Sequence, residues 1–385
     1  MKIALTLILV LLPTYALSAQ NTARSIPMTP ASWTAAPERA EFITHRGVPA
    51  VKVTPSPEAL FAKSGQVVLN DVQFSDGTIE FDVEITDFFL SAIYFRHQDT
   101  ENAEVFYLRT YRAGDPTGPD AIQYTTLIKG VALWDVHPKY QTAAIIHKEG
   151  WNHIKLVISG QRMHVYVNNM SGPTMEIPQL LGPSGTGSIA LEGGGIFANL
   201  VIKPGATEGL SPEAGFDPIS KDIRYVHQWE ITEPFALPPG RELVSAMLFN
   251  AYSDHYPTED TRWQPVSSER EALINISRKY GKSEDRRAVW LKKTIHSNTE
   301  QIRQMNLGFS DEVWVLLNER LVYVGKNLYS HPIMKDPFGQ ISIHDASFSL
   351  PLQEGDNTLL VGVANSLFGW AILARLENPD GVTFK

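Results

Sequence analysis

The chain has 385 residues, with 33 Lys and Arg against 42 Asp and Glu, a formal net charge of -9 and 0 Cys. The absent cysteines exclude a disulfide framework, thiol catalysis and thiolate metal sites, so stability must come from packed cores. The acidic balance, with no basic stripe to release phosphate counterions, argues against nucleic acid or an anionic membrane as the main partner.

The opening MKIALTLILVLLPTYALSAQ places Lys2 before an apolar run from Ile3 to Leu12 and small residues at Ala16, Ser18 and Ala19. That layout reads as a secretory signal peptide over residues 1–19, cleaved after Ala19. The run falls short of the about 20 residues a spanning helix needs, so no membrane span is expected and the address is the bacterial periplasm or the medium. At about 150 residues per domain, the remainder suits two domains.

The first is expected over residues 31–204. Val51–Val53 ends an extended stretch, and Glu58–Lys63 reads as one helical turn. Short strands follow at Val67–Leu69, Gly77–Ile85, Leu90–Arg96, Val105–Arg112, Ile122–Thr126, Ala143–Ile146, Trp151–Ser159, Arg162–Val167, Ser188–Glu192 and Phe197–Ile202. Ser75-Asp76-Gly77, Ser159-Gly160 and Pro183–Gly187 separate them at the spacing of an all-β sandwich. Within EVFYLRTYRAGDPTGPDAIQY (Glu104–Tyr124), a strand through Arg112 puts Tyr107, Arg109 and Tyr111 on one face, because successive side chains alternate. Aromatic planes with a guanidinium between them suit a sugar, whose C–H faces stack on rings while Arg donates to hydroxyls. Tyr94 and Arg96 alternate in the same sense on the neighbouring strand and join this face, with Gln123 and Trp134. The competing reading is a half-exposed strand whose Tyr and Arg merely cover the pleat.

The series GTIEFDVEI, AIYFRHQDTENAEVFYLRT, DAIQY, GWNHIKLVISGQRMHVYVNN and GSIALEGGGIFANLVIKP resembles the concanavalin A-like lectin/glucanase sandwich in its laminin-G-like branch, over roughly Phe61–Pro204. The resemblance implies a fold that hosts lectins, adhesion modules and glycanases alike. Glu80-Phe81-Asp82-Val83-Glu84 is similar to the Glu-x-Asp-x-Glu strand of the laminarinase and lichenase group, which would make Glu80 the nucleophile, Asp82 its orienting carboxylate and Glu84 the general acid. A solvated acidic face explains the same alternation. The closing strand also resembles the 3-keto-disaccharide hydrolase-like family, but Glu192-Gly193-Gly194-Gly195 stands where relatives carry Gln-Asp-His-Gly, which removes the obvious acid/base. No cofactor is expected, although Asp115 and Asp120 around the Gly114–Pro119 loop offer oxygens for a structural calcium. The pairs His97 with Asp99 and His137 with Asp135 read as solvated turns.

PGATEGLSPEAGFDPIS breaks all periodicity and reads as a linker over residues 205–221. A second domain is expected over residues 222–385, with strands at Tyr225–Ile231, Leu243–Phe249, Ala272–Arg278, Ala288–His296, Gln301–Phe309, Glu312–Leu317, Arg320–Val324, Gln340–His344, Ala346–Leu350, Asn357–Asn365 and Gly369–Glu377. LGFSDEVWVLLNERLVYVGKN and LPLQEGDNTLLVGVANSLFGWAILARL resemble the galactose-binding-like jelly roll, over roughly Tyr225–Leu376. Val313, Val315 and Leu317 alternate inward, Trp370 caps the core, and Trp314 faces either solvent as a sugar platform or the neighbouring domain. His331, Asp336 and His344 read as unclustered loop residues. There is no phosphate-binding loop and no nucleophile elbow.

The expectation is therefore all-β: two β-sandwich (jelly-roll) domains in tandem after a signal peptide. The leading function is binding of a glycan or other cell-surface ligand through Tyr94, Arg96, Tyr107, Arg109, Tyr111, Gln123 and Trp134. A glycan-cleaving enzyme using Glu80 and Glu84, and an adhesive spacer, are the alternatives.

Overall fold

The computed structural model describes residues 22–55, 65–87, 89–243 and 255–385. The leader, the Glu58–Lys63 turn and the Leu243–Phe249 strand beyond Leu243 lie outside the described residues. Everything extended pairs antiparallel.

Two sheets make the first sandwich. One runs Met175–Ile177, Arg162–Val167, Asn152–Ser159, Gly77–Ile85, Gly195–Pro204, Val48–Val53 and Ala40–His45 from edge to edge. The other runs Val131–Ala132, Ile122–Ile128, Asn102–Arg109, Leu90–Asp99, Ser188–Gly193, Val67–Leu69 and Trp33–Thr34. Ile79, Phe81 and Val83 point between the sheets with Phe95, Phe106, Tyr124 and Phe197, while the alternating Glu80, Asp82 and Glu84 point outward. The period of two sorts side chains into core and exterior.

The second sandwich packs a sheet built on Arg287–Ser297, Gly355–Asn365, Glu312–Leu317 and Arg320–Lys326 against one made of Ala371–Leu376, Gln301–Ser310 and Ala346–Leu352, with Ile274–Asn275 at its edge. Val313, Val315 and Leu317 enter its core, and Trp370 is buried there. Trp314 is neither a solvent platform nor an interface residue: it is fully buried under Leu237, Leu243 and Trp290 on the other side of its sheet.

Five local expectations are corrected. Only Ile274–Asn275 of the Ala272–Arg278 segment is extended, and Ile276–Tyr280 forms a helix. The Asn275 side chain accepts from the Arg278 amide and Gly281 ends the helix at φ +65°, so capping overrides the alternation. The strand expected to reach Arg112 stops at Arg109, and Thr110–Arg112 turns as a 3-10 helix. Ala143–Ile146 and Gln340–His344 are not strands; Ala144, Ile146 and Ile341 are buried without ladder pairing. The 205–221 segment is no free tether either. Gln161 N donates to Pro212 O at 2.8 Å, Gly215 N to Pro178 O at 2.7 Å, and Arg270 of the second sandwich donates to Gly215 O and Phe216 O at 2.8 and 2.5 Å.

The sandwiches meet over Ile128, Val131, Leu133 and Val136 on one side and Leu273, Ile341 and Ala371 on the other. Ile341 N donates to Asp135 O at 2.8 Å, and the side-chain amides of Gln141 and Gln340 bond each other at 2.9 and 3.1 Å. A Cβ on Gly369 would stand 2.5 Å from Val136 Cγ1 and 2.6 Å from Asp135 Oδ1, so only glycine permits this approach.

At the centre of the interface Ser310 Oγ lies 3.4 Å from Asp135 Oδ2 and 3.2 Å from Asp311 Oδ1. Gly369 N donates to Asp135 at 3.0 Å; Ser366 N and Leu367 N donate to Asp311 at 2.6 and 3.0 Å. Burial, with the Asp311 charge added, pushes the Asp135 carboxyl up to about 8. Burial likewise raises Asp311 to about 7 against its amide donors. Both groups hold protons more tightly folded than unfolded, where the value is about 3.9. Their contribution is complete below about pH 4 and lost as pH rises through about 7 to 8. The thermal midpoint should therefore fall between about pH 6 and about pH 9, and Asp135→Asn should flatten that fall; equal slopes in calorimetry would refute the assignment.

Candidate functional site

Where the two sandwiches meet, the outer face of the Asn102–Arg109 sheet and two loops of the second sandwich enclose a cavity of about 230 Å³. Phe89, Leu90, Tyr107, Arg109, Tyr111 and Trp134 come from the first sandwich, and Tyr329, Phe338 and Phe368 from the second. The rings are locked edge to face: Trp134 stands 5.2 Å from Tyr329 at 78° and 5.4 Å from Phe368 at 80°. Phe89 and Phe338 sit at the rim, 47% and 38% exposed.

The floor is a saturated polar network. Tyr107 donates to Gln123 Oε1 at 2.5 Å, and Gln123 Nε2 donates to Trp134 O at 2.8 Å. Arg109 Nη2 donates to Gln123 Oε1 at 2.5 Å and to the Tyr107 hydroxyl at 3.3 Å. Its Nη1 donates to Asp120 O at 2.7 Å and Gln141 Oε1 at 3.3 Å. Burial raises the Tyr107 phenol far above its usual range, so it stays neutral. Burial first, and Asp120 beside it, pushes Tyr111 up to about 12. By contrast, the Trp134 indole N–H and the Tyr329 hydroxyl have no partner among the described residues.

Of the seven ligand-binding residues expected from sequence, Tyr107, Arg109, Tyr111 and Trp134 line this cavity. Gln123 is fully buried beneath it and scaffolds Tyr107 and Arg109. Tyr94 shares the face but is sealed, its hydroxyl bonded to Glu192. Arg96 leaves the face altogether. Its backbone adopts φ +47° where the pairing with both neighbouring strands shifts register, and the guanidinium turns to Ser75 O, Asp76 and Gly160 O at 3.0, 3.0 and 2.8 Å. Sequence reading missed Phe89, Leu90, Tyr329, Phe338 and Phe368. A weak signal was present, since Phe338 and Phe368 each precede a glycine in a loop and both sit at positive φ, 53° and 57°.

The acids Glu80, Asp82 and Glu84 project from the opposite sheet, and each is paired. Lys203 bonds Glu80 at 2.8 Å; His153 and Asn199 bond Asp82, each at 2.7 Å. Arg46 grips Glu84 through Nε and Nη2 at 2.6 and 2.9 Å, with His45 at 2.8 Å. The Arg46 bond is the main cause holding Glu84 down to about 2. Glu192, which stands in the segment without the acid/base histidine, is 3% exposed and bonded to Tyr94. Asp120 has both oxygens engaged, by Tyr111 at 2.9 Å and Arg112 at 2.7 Å, and Asp115 accepts from Thr117 and Arg112. No group of three His, Asp or Glu with metal-ligand spacing occurs among the described residues. His137 and Asp135 are no solvated pair: both are buried, and His137 stacks on Tyr140 at 5.9 Å.

No protein-family model matches the chain, and no curated protein matches it. Among solved structures it is similar to the carbohydrate-binding module CBM66 from Bacillus subtilis, at 14% identity over 44% of this chain and 95% of that one, TM-score 0.32. It is also similar to a Bacillus licheniformis β-glucanase, at 9% identity over 47% and 97%, TM-score 0.31. A Caenorhabditis elegans galectin matches at 13% identity over 44% and 99%, TM-score 0.27.

The network makes a stability claim. Gln123→Leu would remove the acceptor shared by the Tyr107 hydroxyl and Arg109 Nη2 and the donor to Trp134 O, and should lower unfolding free energy by on the order of 3 kcal/mol. Denaturant titration checks it; a loss below about 1 kcal/mol would mean the floor is not a cooperative unit.

Proposed function

We propose that this chain is an exported glycan-binding protein that holds one pyranose-sized ring in the aromatic cavity between its two sandwiches. The observation that carries the reading is the composition of that cavity: rings on most sides, and a polar floor at its base. Sugar C–H faces gain most against flat, immobile rings, and the edge-to-face contacts of Trp134, Tyr329 and Phe368 hold these rings in place. The Trp134 N–H and Tyr329 hydroxyl supply unspent hydrogen bonds for sugar hydroxyls. Arg109 spends its donors on Asp120, Gln123, Gln141 and Tyr107, so it stiffens the floor rather than recruiting a charged ligand.

Binding is favoured over cleavage by the state of the acids. A general acid for glycoside cleavage needs a raised carboxyl pKa, and Glu84 is held at about 2 by Arg46 and His45. Among the described residues no helix is long and apolar enough to cross a membrane. Export rests on the leader-like sequence of residues 1–19.

A glycan array followed by calorimetry on the hits tests the proposal. Trp134→Ala should weaken binding about tenfold, the effect of an aromatic contact on the order of 1 kcal/mol. Phe89→Ala, on the exposed rim, should weaken it less without loss of fold. Absence of any bound glycan, or affinity untouched by both substitutions, would overturn the reading.

A further inference from the structure

A second cleft, of about 600 Å³, lies between the sandwiches and shares no lining residue with the aromatic cavity. Arg96, turned away from the aromatic face, lines it with Asp76 and Glu104; Glu269, Arg270 and Arg278 face it from the second sandwich. The turn of Arg96 is built in: a Cβ on Gly187 would sit 2.3 Å from the Arg96 carbonyl carbon, so only glycine lets the left-handed backbone pass.

The donors in this cleft are not used up. Arg96 is 5% exposed; its Nε and Nη2 are engaged, and its Nη1 has no acceptor among the described residues. Arg278 gives Nε and Nη2 to Glu269 and Leu181 O, which leaves its Nη1 likewise without an acceptor. Asp76 balances Arg96 at 3.0 Å and Glu269 balances Arg278, but Arg270 is bonded only to the carbonyls of Gly215 and Phe216. The remaining carboxyl, Glu104, is buried and accepts from Tyr124 at 2.6 Å and Gly182 N at 2.9 Å. The Arg96 side chain is nearly sealed and that of Arg278 is 36% exposed, so both free Nη1 groups lie where an anion can replace water as the acceptor.

We propose that this cleft is a binding site for the carboxylate of a small organic acid, its two oxygens accepting from the free Nη1 groups of Arg96 and Arg278. Paired guanidinium donors match a planar carboxylate in geometry and charge. The sources are a uronic acid residue of a glycan or a non-sugar carboxylate. The site stands on its own observations and does not depend on what fills the aromatic cavity.

Glu104 sets a pH dependence. The charged groups around it are Arg96 and Asp76 on its own sandwich and Glu269, Arg270 and Arg278 across the cleft, with Tyr124 and Gly182 N bonded to it. Burial pushes its carboxyl up to about 7. Below that pH it is neutral and the unbalanced Arg270 charge favours an anion; above it the new negative charge opposes one.

Calorimetric titration of the full chain with D-glucuronate, acetate and D-glucose at about pH 5.5 and about pH 8.5 tests this. Glucuronate should bind at the lower pH and weaken tenfold or more at the higher, with glucose inert at this cleft. Acetate matching glucuronate would identify a general carboxylate site; acetate much weaker would identify a sugar-acid site. Arg96→Gln should reduce glucuronate affinity at least tenfold, and Glu104→Gln should hold it at its low-pH value throughout. If Arg96→Gln does not fold, the Glu104→Gln profile decides: a flat profile supports the site, a wild-type slope refutes it. Failure of both carboxylates to bind at about pH 5.5 overturns the proposal. Acetate, which has no ring to stack in the aromatic cavity, reports on this cleft alone, so the two sites fail independently.

Discussion

The contact of Trp134 with Tyr329 and Phe368 is the constraint on which the rest of the molecule depends. An outward-facing sheet surface that carries Leu90, Ala92, Val105, Tyr107 and Trp134 would leave a large apolar patch in water. The second sandwich removes that patch, and it does so with rings at the periphery rather than with a flat aliphatic face. Because aromatic pairs stand edge to face at over 5 Å between centroids, they cannot close the seam completely. The cavity is the space that this geometry leaves.

That arrangement explains why the polar groups on the face are so thoroughly satisfied. Buried beneath a docked domain, Tyr107, Arg109 and Gln123 have little water to fall back on, so each must find its partner in the protein. The same desolvation acts on Asp135 and Asp311 at the seam and on Glu104 in the second cleft, and it raises all three carboxyls. On the opposite sheet the balance reverses. Glu84 is only partly screened and is gripped by Arg46 and His45, so its hydrogen bonds outweigh desolvation and lower it. Two carboxylate populations thus arise from one fold, separated by whether burial or their hydrogen-bonded partners dominate.

The strands were legible in sequence wherever alternation was locally complete. Ile79, Phe81 and Val83 against Glu80, Asp82 and Glu84 declare a half-buried strand without reference to anything else, and Val313, Val315 and Leu317 do the same. Alternation failed at Arg96 because one left-handed residue reverses the facing of the side chains after it, and nothing within the strand marks it. It failed at Ile276–Tyr280 because the Asn275 cap and Gly281 act on a single turn, below the reach of periodicity. Half of the cavity was legible, since Tyr107, Arg109, Tyr111 and Trp134 lie close together in the chain. Tyr329, Phe338 and Phe368 come from distant loops, and only docking brings them there. The second cleft was hidden for the same reason: Arg96 and Arg278 have no sequence relation.

Gly369 has a bearing on how the mouth of the aromatic cavity is sized. The hydrogen that stands there in place of a methyl lets the two halves approach closely beside Phe368, which lines the cavity. Any larger residue would act as a shim, widening the seam and turning an enclosed chamber into an open trough. The calibre of the chamber is governed from outside its own walls, by one missing carbon.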